Sequence, residues 1–373
     1  MLKKAAAVFL IGASTAICGG CFISNSNNVL YAALPQSSQI AEYREDPNSG
    51  ILTQLPTSPV TAGPGVQSLA VHPSGKYLYA ANAGENDVSF FQIEAYGQLL
   101  EQPRTPVGTS PTLLVMDSAG KYLYVANSGS QNIFVLSIGS TGTLTQVGNP
   151  FQVGISPLNM KISPSGNFLY VTGASPQAGT PGYIEVLRIN PSAASPLSLV
   201  AITQPGSSPY GLEISPNGNY LYTANFGDNT ISEFTIGSNG LLTPIAGSPI
   251  GEAYTGPVSL LVDPSGKYLY VANQQSSGNL AGYSIASTGA LSLLNSSPYS
   301  TAAQPNFIAS DPAGNFLFVG NLSKPVIEPF CLASKNLNCN QAPGLGSLTE
   351  VQKYPLVGTP TSIVVARSGS IVF

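Results

Sequence analysis

The stretch Asp263-Pro-Ser-Gly-Lys-Tyr-Leu-Tyr-Val-Ala-Asn273 decides the fold, because the chain repeats it at regular intervals. Close or looser copies begin at His72, Asp117, Ser163, Ser215 and Asp311. Within the stretch, proline fixes φ at the second turn position and glycine takes the left-handed conformation, so the chain doubles back into a Tyr-Leu-Tyr-Val-Ala-Asn strand. A repeat of this kind indicates the fold of the protein rather than its catalytic or binding activity.

Each unit of the repeat is predicted to contain four short strands. An apolar strand such as Pro257–Val262 precedes the turn, and an alternating strand such as Asn132–Ile138 follows the second strand; a Gly-rich turn then leads to a fourth, such as Gly142–Val147. Seven second strands lie between residues 30 and 373, and their average period of about 49 residues is typical of propeller blades. The sequence therefore predicts an all-β, seven-bladed β-propeller of four-stranded blades.

The two ends of the repeat region complete one blade between them. The chain enters the repeat at a second strand, Leu30–Ala33, and finishes with an orphan first strand, Pro360–Val365. If these strands share one blade, no sheet edge is left open at the seam. The predicted domains are a lipoprotein signal peptide over residues 1–20, a tether over residues 21–29 and the propeller over residues 30–373.

Two aromatic columns recur at fixed positions of the second strands. One contains Tyr77, Tyr122, Phe168, Tyr220, Tyr268 and Phe316; the other contains Tyr79, Tyr124, Tyr170, Tyr222, Tyr270 and Phe318. We expect both columns to pack between blades; stacking platforms for bases or sugars are the alternative.

The N-terminus has the pattern of an export signal. Lys3 and Lys4 precede the apolar stretch Ala5–Ile17, which is too short to span a bilayer. The following Cys18-Gly-Gly-Cys21 resembles the lipobox of bacterial lipoproteins, which implies lipidation of Cys21. We therefore expect export to the cell envelope with a lipid anchor at Cys21; ordinary cleavage of the leader is the alternative.

The remaining cysteines, Cys331 and Cys339, lie in the longest irregular insert. In an oxidising compartment we expect a disulfide between them, with two unrelated thiols as the alternative.

Composition limits the partners and cofactors. Charged residues make up 8% of the chain, the formal net charge is −4, and there is no basic run, so we expect no nucleic-acid partner. The sequence has neither zinc nor calcium ligand spacing and no Gly-rich phosphate loop before a helix. We therefore expect no metal site and no cofactor; calcium bound by carboxylates and carbonyls is the alternative.

The repeats resemble the YVTN-type repeats of the lactonase-family seven-bladed propellers, which include 6-phosphogluconolactonase-like proteins. The resemblance rests on Pro-Ser-Gly-Lys-Tyr-Leu-Tyr-Val-Ala-Asn followed by a strand and Gly-x-Leu, and it covers residues 30–373. It implies lactone hydrolysis, with Arg and His after the proline that opens an inner strand. At those positions this chain has Gln67-Ser68, Thr112-Leu113, Leu158-Asn159, Tyr210-Gly211, Val258-Ser259, Asn306-Phe307 and Thr361-Ser362.

Histidine gives a further test of catalysis. The single histidine, His72, occupies the tight turn between a first and a second strand. Such turns lie on the face opposite the inner-strand entrances, so we interpret His72 as a surface turn residue. The sequence therefore predicts no catalytic residue.

Two adjacent units break the repeat's own pattern beside the channel. The fourth residue after the inner-strand proline is apolar in five units, but Lys161 and Glu213 occupy it in the other two. The simpler interpretation is a partly buried salt bridge that plugs the ring. Alternatively, the pair forms the polar floor of a small-molecule pocket. The residues of this candidate channel pocket are Asn159, Lys161, Tyr210, Glu213, Asn306 and Gln67.

Two functions remain open at this point. We expect a non-catalytic binding or scaffold module that presents its upper loops, residues 56–65, 173–181 and 246–257, to a protein, peptide or polysaccharide. The alternative is a lactone hydrolase that uses Glu213 or Glu252 as a base and Arg104 as an anion clamp.

Overall fold

The computed structural model describes residues 28–174, 181–252, 254–274, 278–302, 304–333 and 345–367. Blade 1 begins with β1 (Asn28–Leu34), β2 (Gln39–Glu45), β3 (Leu52–Gln54) and β4 (Val60–Thr61). Blade 2 has β5 (Val66–Val71), β6 (Tyr77–Asn82), β7 (Asp87–Ile93) and β8 (Leu99–Pro106), with a 3-10 turn at Ala95–Gly97. Blade 3 has β9 (Pro111–Met116), β10 (Tyr122–Asn127), β11 (Asn132–Ile138), β12 (Leu144–Gln146) and β13 (Phe151–Gln152).

The remaining four blades follow in chain order. Blade 4 has β14 (Ser156–Ile162), β15 (Phe168–Ala174), β16 (Tyr183–Ile189) and β17 (Leu197–Thr203). Blade 5 has β18 (Pro209–Ile214), β19 (Tyr220–Asn225), β20 (Thr230–Ile236), β21 (Leu242–Pro244) and β22 (Ile250–Gly251). Blade 6 has β23 (Pro257–Val262), β24 (Tyr268–Asn273), β25 (Asn279–Ile285), β26 (Leu291–Leu293) and β27 (Tyr299–Ser300). Blade 7 has β28 (Pro305–Ser310), β29 (Phe316–Asn321), β30 (Val326–Leu332), β31 (Leu348–Glu350) and β32 (Tyr354–Pro355), and β33 (Ser362–Ala366) returns to blade 1.

The predicted seven-bladed propeller is confirmed. Each sheet is antiparallel and contains a path of four strands. The first strand of every sheet touches the first strands of both neighbouring sheets, in the cyclic order β33, β5, β9, β14, β18, β23 and β28. These seven strands therefore surround a central channel.

The predicted closure by the two ends is also confirmed. Strand β33 pairs antiparallel with β1, from Val29 opposite Ala366 to Ala33 opposite Ser362. The second strand of blade 1, β1, begins at Asn28 rather than Leu30, because Asn28 pairs with Glu45 across the ladder and its Nδ2 donates to the Glu45 carboxylate at 2.7 Å. Residues 28 and 29, which we assigned to the tether, thus belong to the sheet.

Short extra strands were not predicted from the sequence. In five blades, β4, β13, β22, β27 or β32 pairs with the third strand of its own sheet. Each extra strand is two residues long, which is too short for an alternation of polar and apolar residues to show.

The core is divided among the seven blade interfaces. Buried side chains form seven clusters, one for each pair of adjacent blades, including the pair formed by blades 7 and 1. Each blade therefore depends on both neighbours to cover its apolar faces.

Five tyrosines at the repeat position of Tyr79 link neighbouring blades, as predicted for that aromatic column. Each of the five is buried, and its hydroxyl donates to the carbonyl of a glycine in the turn between the third and fourth strands of the next blade. The pairs are Tyr31–Gly97, Tyr79–Gly142, Tyr170–Gly240, Tyr222–Gly289 and Tyr270–Gly346, at 2.7–3.0 Å. Burial raises the pKa of these phenols, for instance that of Tyr170 to about 12. The repeated tyrosine of one blade thus contacts the glycine of the Gly-x-Leu motif in the next blade.

Several predictions concern residues beyond the described part of the chain. They are the leader at residues 1–20, the lipidation site Cys21 and the predicted disulfide partner Cys339. Cys331 lies in β30 and is disulfide-bonded. Across the described ranges, no helix has the length and apolar character needed to cross a membrane.

Candidate functional site

A cavity of about 270 Å³ opens where the seven first strands begin. The described residues that line it are uncharged: amides, hydroxyls and one phenol alternate with aliphatic side chains and the ring of Phe307. The lining residues include Gln67, Thr112, Asn159, Tyr210, Ser259, Gln274, Asn306, Leu322 and Thr361. We call this cavity the mouth.

A second cavity of about 250 Å³ continues the mouth into the channel. The two cavities share Ser68, Leu113, Asn159, Ser259, Phe307 and Ser362, so they are parts of one space. Among the described residues that line the lower cavity, Lys161 is the only charged one. A molecule that enters at the mouth therefore meets one cation inside the channel.

Lys161 forms an ion pair with Glu213 across the boundary between blades 4 and 5. The Nζ of Lys161 lies 2.7 Å from Oε2 of Glu213, and the two side chains are 38% and 14% exposed. Both residues occupy one register position, since Lys161 lies opposite Tyr170 and Glu213 opposite Tyr222 on the second strands. At the same position the other blades have Ala70, Val115, Leu261, Ala309 and Val364. The pair is therefore a charged site in an otherwise apolar ring.

The structure brings together all six residues predicted for the channel pocket. Gln67, Asn159, Tyr210 and Asn306 line the mouth, Lys161 lies below them, and Glu213 contacts Lys161. The amide nitrogen of Asn306 donates to the carbonyl of Pro360 at 3.0 Å, which fixes the side chain against the neighbouring blade.

Some polar atoms at the mouth have no hydrogen-bond partner within the described protein. They are Oγ1 of Thr112, Oγ1 of Thr361 and Oδ1 of Asn306. Each of these residues follows a proline, at the repeat position of Gln67 and Tyr210; Thr112 and Asn306 are the second residues of their strands, and Thr361 immediately precedes β33. All three oxygens are themselves buried, and buried polar atoms are nearly always paired, so they are exceptions within the described protein.

Two mouth residues and one neighbouring residue were missed by sequence reasoning. Gln274, Leu322 and Phe226 each follow the asparagine that ends a second strand; Gln274 and Leu322 line the mouth, and Phe226 packs beside Tyr210 with the ring centroids 5.4 Å apart at 46°. The repeat contained the signal, because the three residues occupy one repeat position.

Other residues considered from the sequence lie away from the channel. Arg104 is on the fourth strand β8, where it contacts Glu85, Glu101 and Asp87, so it is not an anion clamp at the mouth. Glu252 lies next to β22 and accepts a hydrogen bond from the Tyr283 hydroxyl at 2.8 Å.

His72 lies in the turn between β5 and β6. Its Nε2 is 2.9 Å from the carbonyl oxygen of Gly120, in the equivalent turn of blade 3. Within the described ranges, no group of three or more His, Cys, Asp or Glu side chains is arranged to hold a metal ion.

Comparison with known proteins identifies the class of protein that this fold and channel define. The family described as "Lactonase, 7-bladed beta-propeller" matches residues 21–157, 116–191, 139–246, 201–301 and 248–342. The chain belongs to this family.

Individual relatives cover nearly the whole chain. A 6-phosphogluconolactonase of Erwinia tasmaniensis is 25% identical over 348 residues, which are 91% of this chain and 98% of the relative. A periplasmic gluconolactonase of Pseudomonas aeruginosa has the same fold, with a TM-score of 0.74 and 21% identity over 91% of this chain and 99% of its own. A protein from Lactobacillus plantarum has a TM-score of 0.75 with 20% identity, over 91% and 99% of the two chains.

These comparisons correct the expected function. We expected a non-catalytic binding or scaffold module, and that expectation is wrong, because the chain belongs to a lactonase family and its relatives are named as lactone hydrolases. The error came from treating the lack of Arg and His after the inner-strand prolines as a lack of catalytic groups. The findings support a hydrolase that acts on lactones.

Proposed function

We propose that the chain hydrolyses a lactone in the central channel, with the Lys161–Glu213 pair as the reactive centre. The observation that carries this proposal is the 2.7 Å contact between the two side chains, at the one register position where the ring of first strands is otherwise apolar. Lactone hydrolysis requires a group that takes a proton from water and a positive charge near the developing oxyanion. A carboxylate and an ammonium group supply these two functions.

The pair acts on the lactone carbonyl as follows. Glu213 accepts a proton from water while the water oxygen attacks the carbonyl carbon. The ammonium group of Lys161 stabilises the negative charge that forms on the carbonyl oxygen. The bond between the carbonyl carbon and the ring oxygen then breaks, the leaving ring oxygen takes the proton from Glu213, and the product is the open hydroxy acid. Val115 and Leu212, which line the lower cavity together with Lys161, lower the local dielectric and strengthen both interactions.

Exchange of Glu213 tests the proposed base. We expect Glu213→Gln to lower kcat/KM by about 10²–10⁴-fold, because the amide keeps the shape of the side chain but accepts no proton. The measurement is titration of acid released from a panel of γ- and δ-lactones, corrected for spontaneous hydrolysis. Glu252→Gln is the matched control and should leave kcat/KM unchanged, because Glu252 lies away from the channel. Full activity of Glu213→Gln, with native thermal unfolding, would rule out this site.

We also propose that the protein is exported and anchored through Cys21. The support is the Lys-Lys leader followed by the apolar stretch and Cys18-Gly-Gly-Cys21. Metabolic labelling with a radioactive fatty acid should label the wild-type chain and Cys18→Ser but not Cys21→Ser. Equal labelling of Cys21→Ser and wild type would contradict the anchor.

A further inference from the structure

We propose that the channel recognises a neutral, polyhydroxylated lactone ring, with no phosphate or carboxylate group, and that Tyr210 is the specificity-determining residue that stacks on it. This inference rests on the proposed lactone hydrolysis and names the substrate class for that site. Three properties of the mouth support it: its charge, its hydrogen-bonding groups and its aromatic surface.

The charge of the site disfavours an anionic substrate. No Lys, Arg or His is among the described residues that line the mouth, and the Lys161 charge below it is already balanced by Glu213. A phosphate group in the mouth would lose hydration without gaining a cationic partner, and an unpaired anion in a partly enclosed site is strongly disfavoured. The net charge of −4 adds no compensating attraction.

The hydrogen-bonding groups of the mouth match those of sugar hydroxyls. Gln67, Asn159, Gln274 and Asn306 offer amides, which donate and accept, and serine and threonine hydroxyls lie between them. The four amide side chains belong to blades 2, 4, 6 and 7, so they are spaced around the opening. A ring with hydroxyls on several carbons can reach such separated partners, whereas an unsubstituted ring cannot.

Tyr210 supplies the aromatic surface. Its side chain is 41% exposed and it lines the mouth, while Phe226, 40% exposed, packs beside it at 5.4 Å. The equivalent residues of the other blades are Gln67, Thr112, Leu158, Val258, Asn306 and Thr361, so Tyr210 is the only aromatic residue at this repeat position, although Phe307 also lines the mouth from blade 7. A phenol combines an apolar ring face with a hydroxyl for hydrogen bonding. The aliphatic face of a sugar ring fits this combination.

Binding and turnover can be measured separately. Calorimetry with gluconolactam, a neutral analogue that does not hydrolyse readily, and with its 6-phosphate reports recognition alone. We expect wild type to bind the neutral lactam at least about tenfold more tightly than the phosphate. Tyr210→Leu should weaken lactam binding about tenfold, and Tyr210→Phe should retain most of it, because the ring and not the hydroxyl provides the stacking surface.

Turnover of glucono-δ-lactone, its 6-phosphate and δ-valerolactone completes the test. We expect the highest kcat/KM for the neutral sugar lactone, with Tyr210→Leu raising KM far more than it changes kcat. Tighter binding or faster turnover of the 6-phosphate, or equal rates for δ-valerolactone, would overturn this inference and leave the hydrolase intact. Tight lactam binding without turnover of any lactone would instead overturn the proposed hydrolysis.

Discussion

The free energy of unfolding should fall by several kcal/mol between pH 5 and pH 9, because blade 1 buries two carboxyl groups that are neutral at low pH. Glu42 and Glu45 in β2 have no exposed surface. Burial raises the pKa of Glu42 from 4.5 to about 7, although hydrogen bonds from Thr57 and from the backbone of Leu99 oppose this shift. Burial raises the pKa of Glu45 to about 8, opposed by the hydrogen bond from Asn28 and reinforced by nearby Asp311 and Asp46.

The direction of the pH effect follows from proton binding. Between the ordinary pKa of 4.5 and the raised values of about 7 and 8, the folded chain holds protons that the unfolded chain has released. The stabilisation is therefore complete below pH 4.5 and is lost as the pH rises through 7 and 8, at about 1.4 kcal/mol per pKa unit for each group. Burial raises the pKa of Glu185 and of Glu233 as well, so they act in the same direction. Urea unfolding at one-unit pH steps measures the effect.

Two variants separate this explanation from a general effect of charge. Glu42→Gln should flatten the pH profile and should be more stable than wild type at pH 9, because the amide stays neutral. Glu94→Gln, an exposed residue before the 3-10 turn, should keep the wild-type profile. An unfolding free energy that rises from pH 5 to pH 9 in the wild type would contradict the prediction.

The second large effect concerns the glycine turns that join the blades. We expect Gly289→Ala to destabilise the protein by about 2–5 kcal/mol, the sum of a left-handed backbone penalty and overpacking. Gly289 has φ +86°, and a Cβ there would overlap the ring of Tyr220 and lie 2.7 Å from Ile245. Its carbonyl also accepts the hydrogen bond from Tyr222, at 2.8 Å. Chemical denaturation followed by tyrosine fluorescence measures the loss.

Two other glycines serve as matched controls. Gly247 has φ +94°, but no heavy atom lies within 4 Å of the position that a Cβ would take, so Gly247→Ala should show only the backbone penalty of about 1–2 kcal/mol. Gly251 has open space and no positive φ, so Gly251→Ala should be close to neutral. Equal losses for Gly289→Ala and Gly247→Ala would show that packing against Tyr220 contributes nothing.

The repeat made the architecture predictable because each copy carries its own turn and strand chemistry. Comparison of equivalent positions also located Lys161 and Glu213, since a polar residue stands out where other copies have Ala, Val or Leu. Contacts between copies were harder to predict. The hydrogen bond from the Tyr222 hydroxyl to the Gly289 carbonyl joins two blades. Only the three-dimensional packing shows that the repeated tyrosine and the repeated glycine are in contact.

The position of the site could be predicted from the sequence, but its function could not. The residues that open each first strand were identified as the mouth, yet their lack of Arg and His was interpreted as a lack of catalysis. Phe226 and the unpartnered oxygen of Thr361 depend on how side chains from different blades approach one another. The spacing of residues within one blade does not show which side chains of two different blades come into contact.

The pairing of Asn28–Leu34 with Ser362–Ala366 makes ring closure depend on two segments that lie far apart in the sequence. Without Ser362–Ala366, Val29–Ala33 would present an unpaired edge of the kind that associates with other chains. The same strand pairing therefore closes the ring and protects the protein from self-association through blade 1.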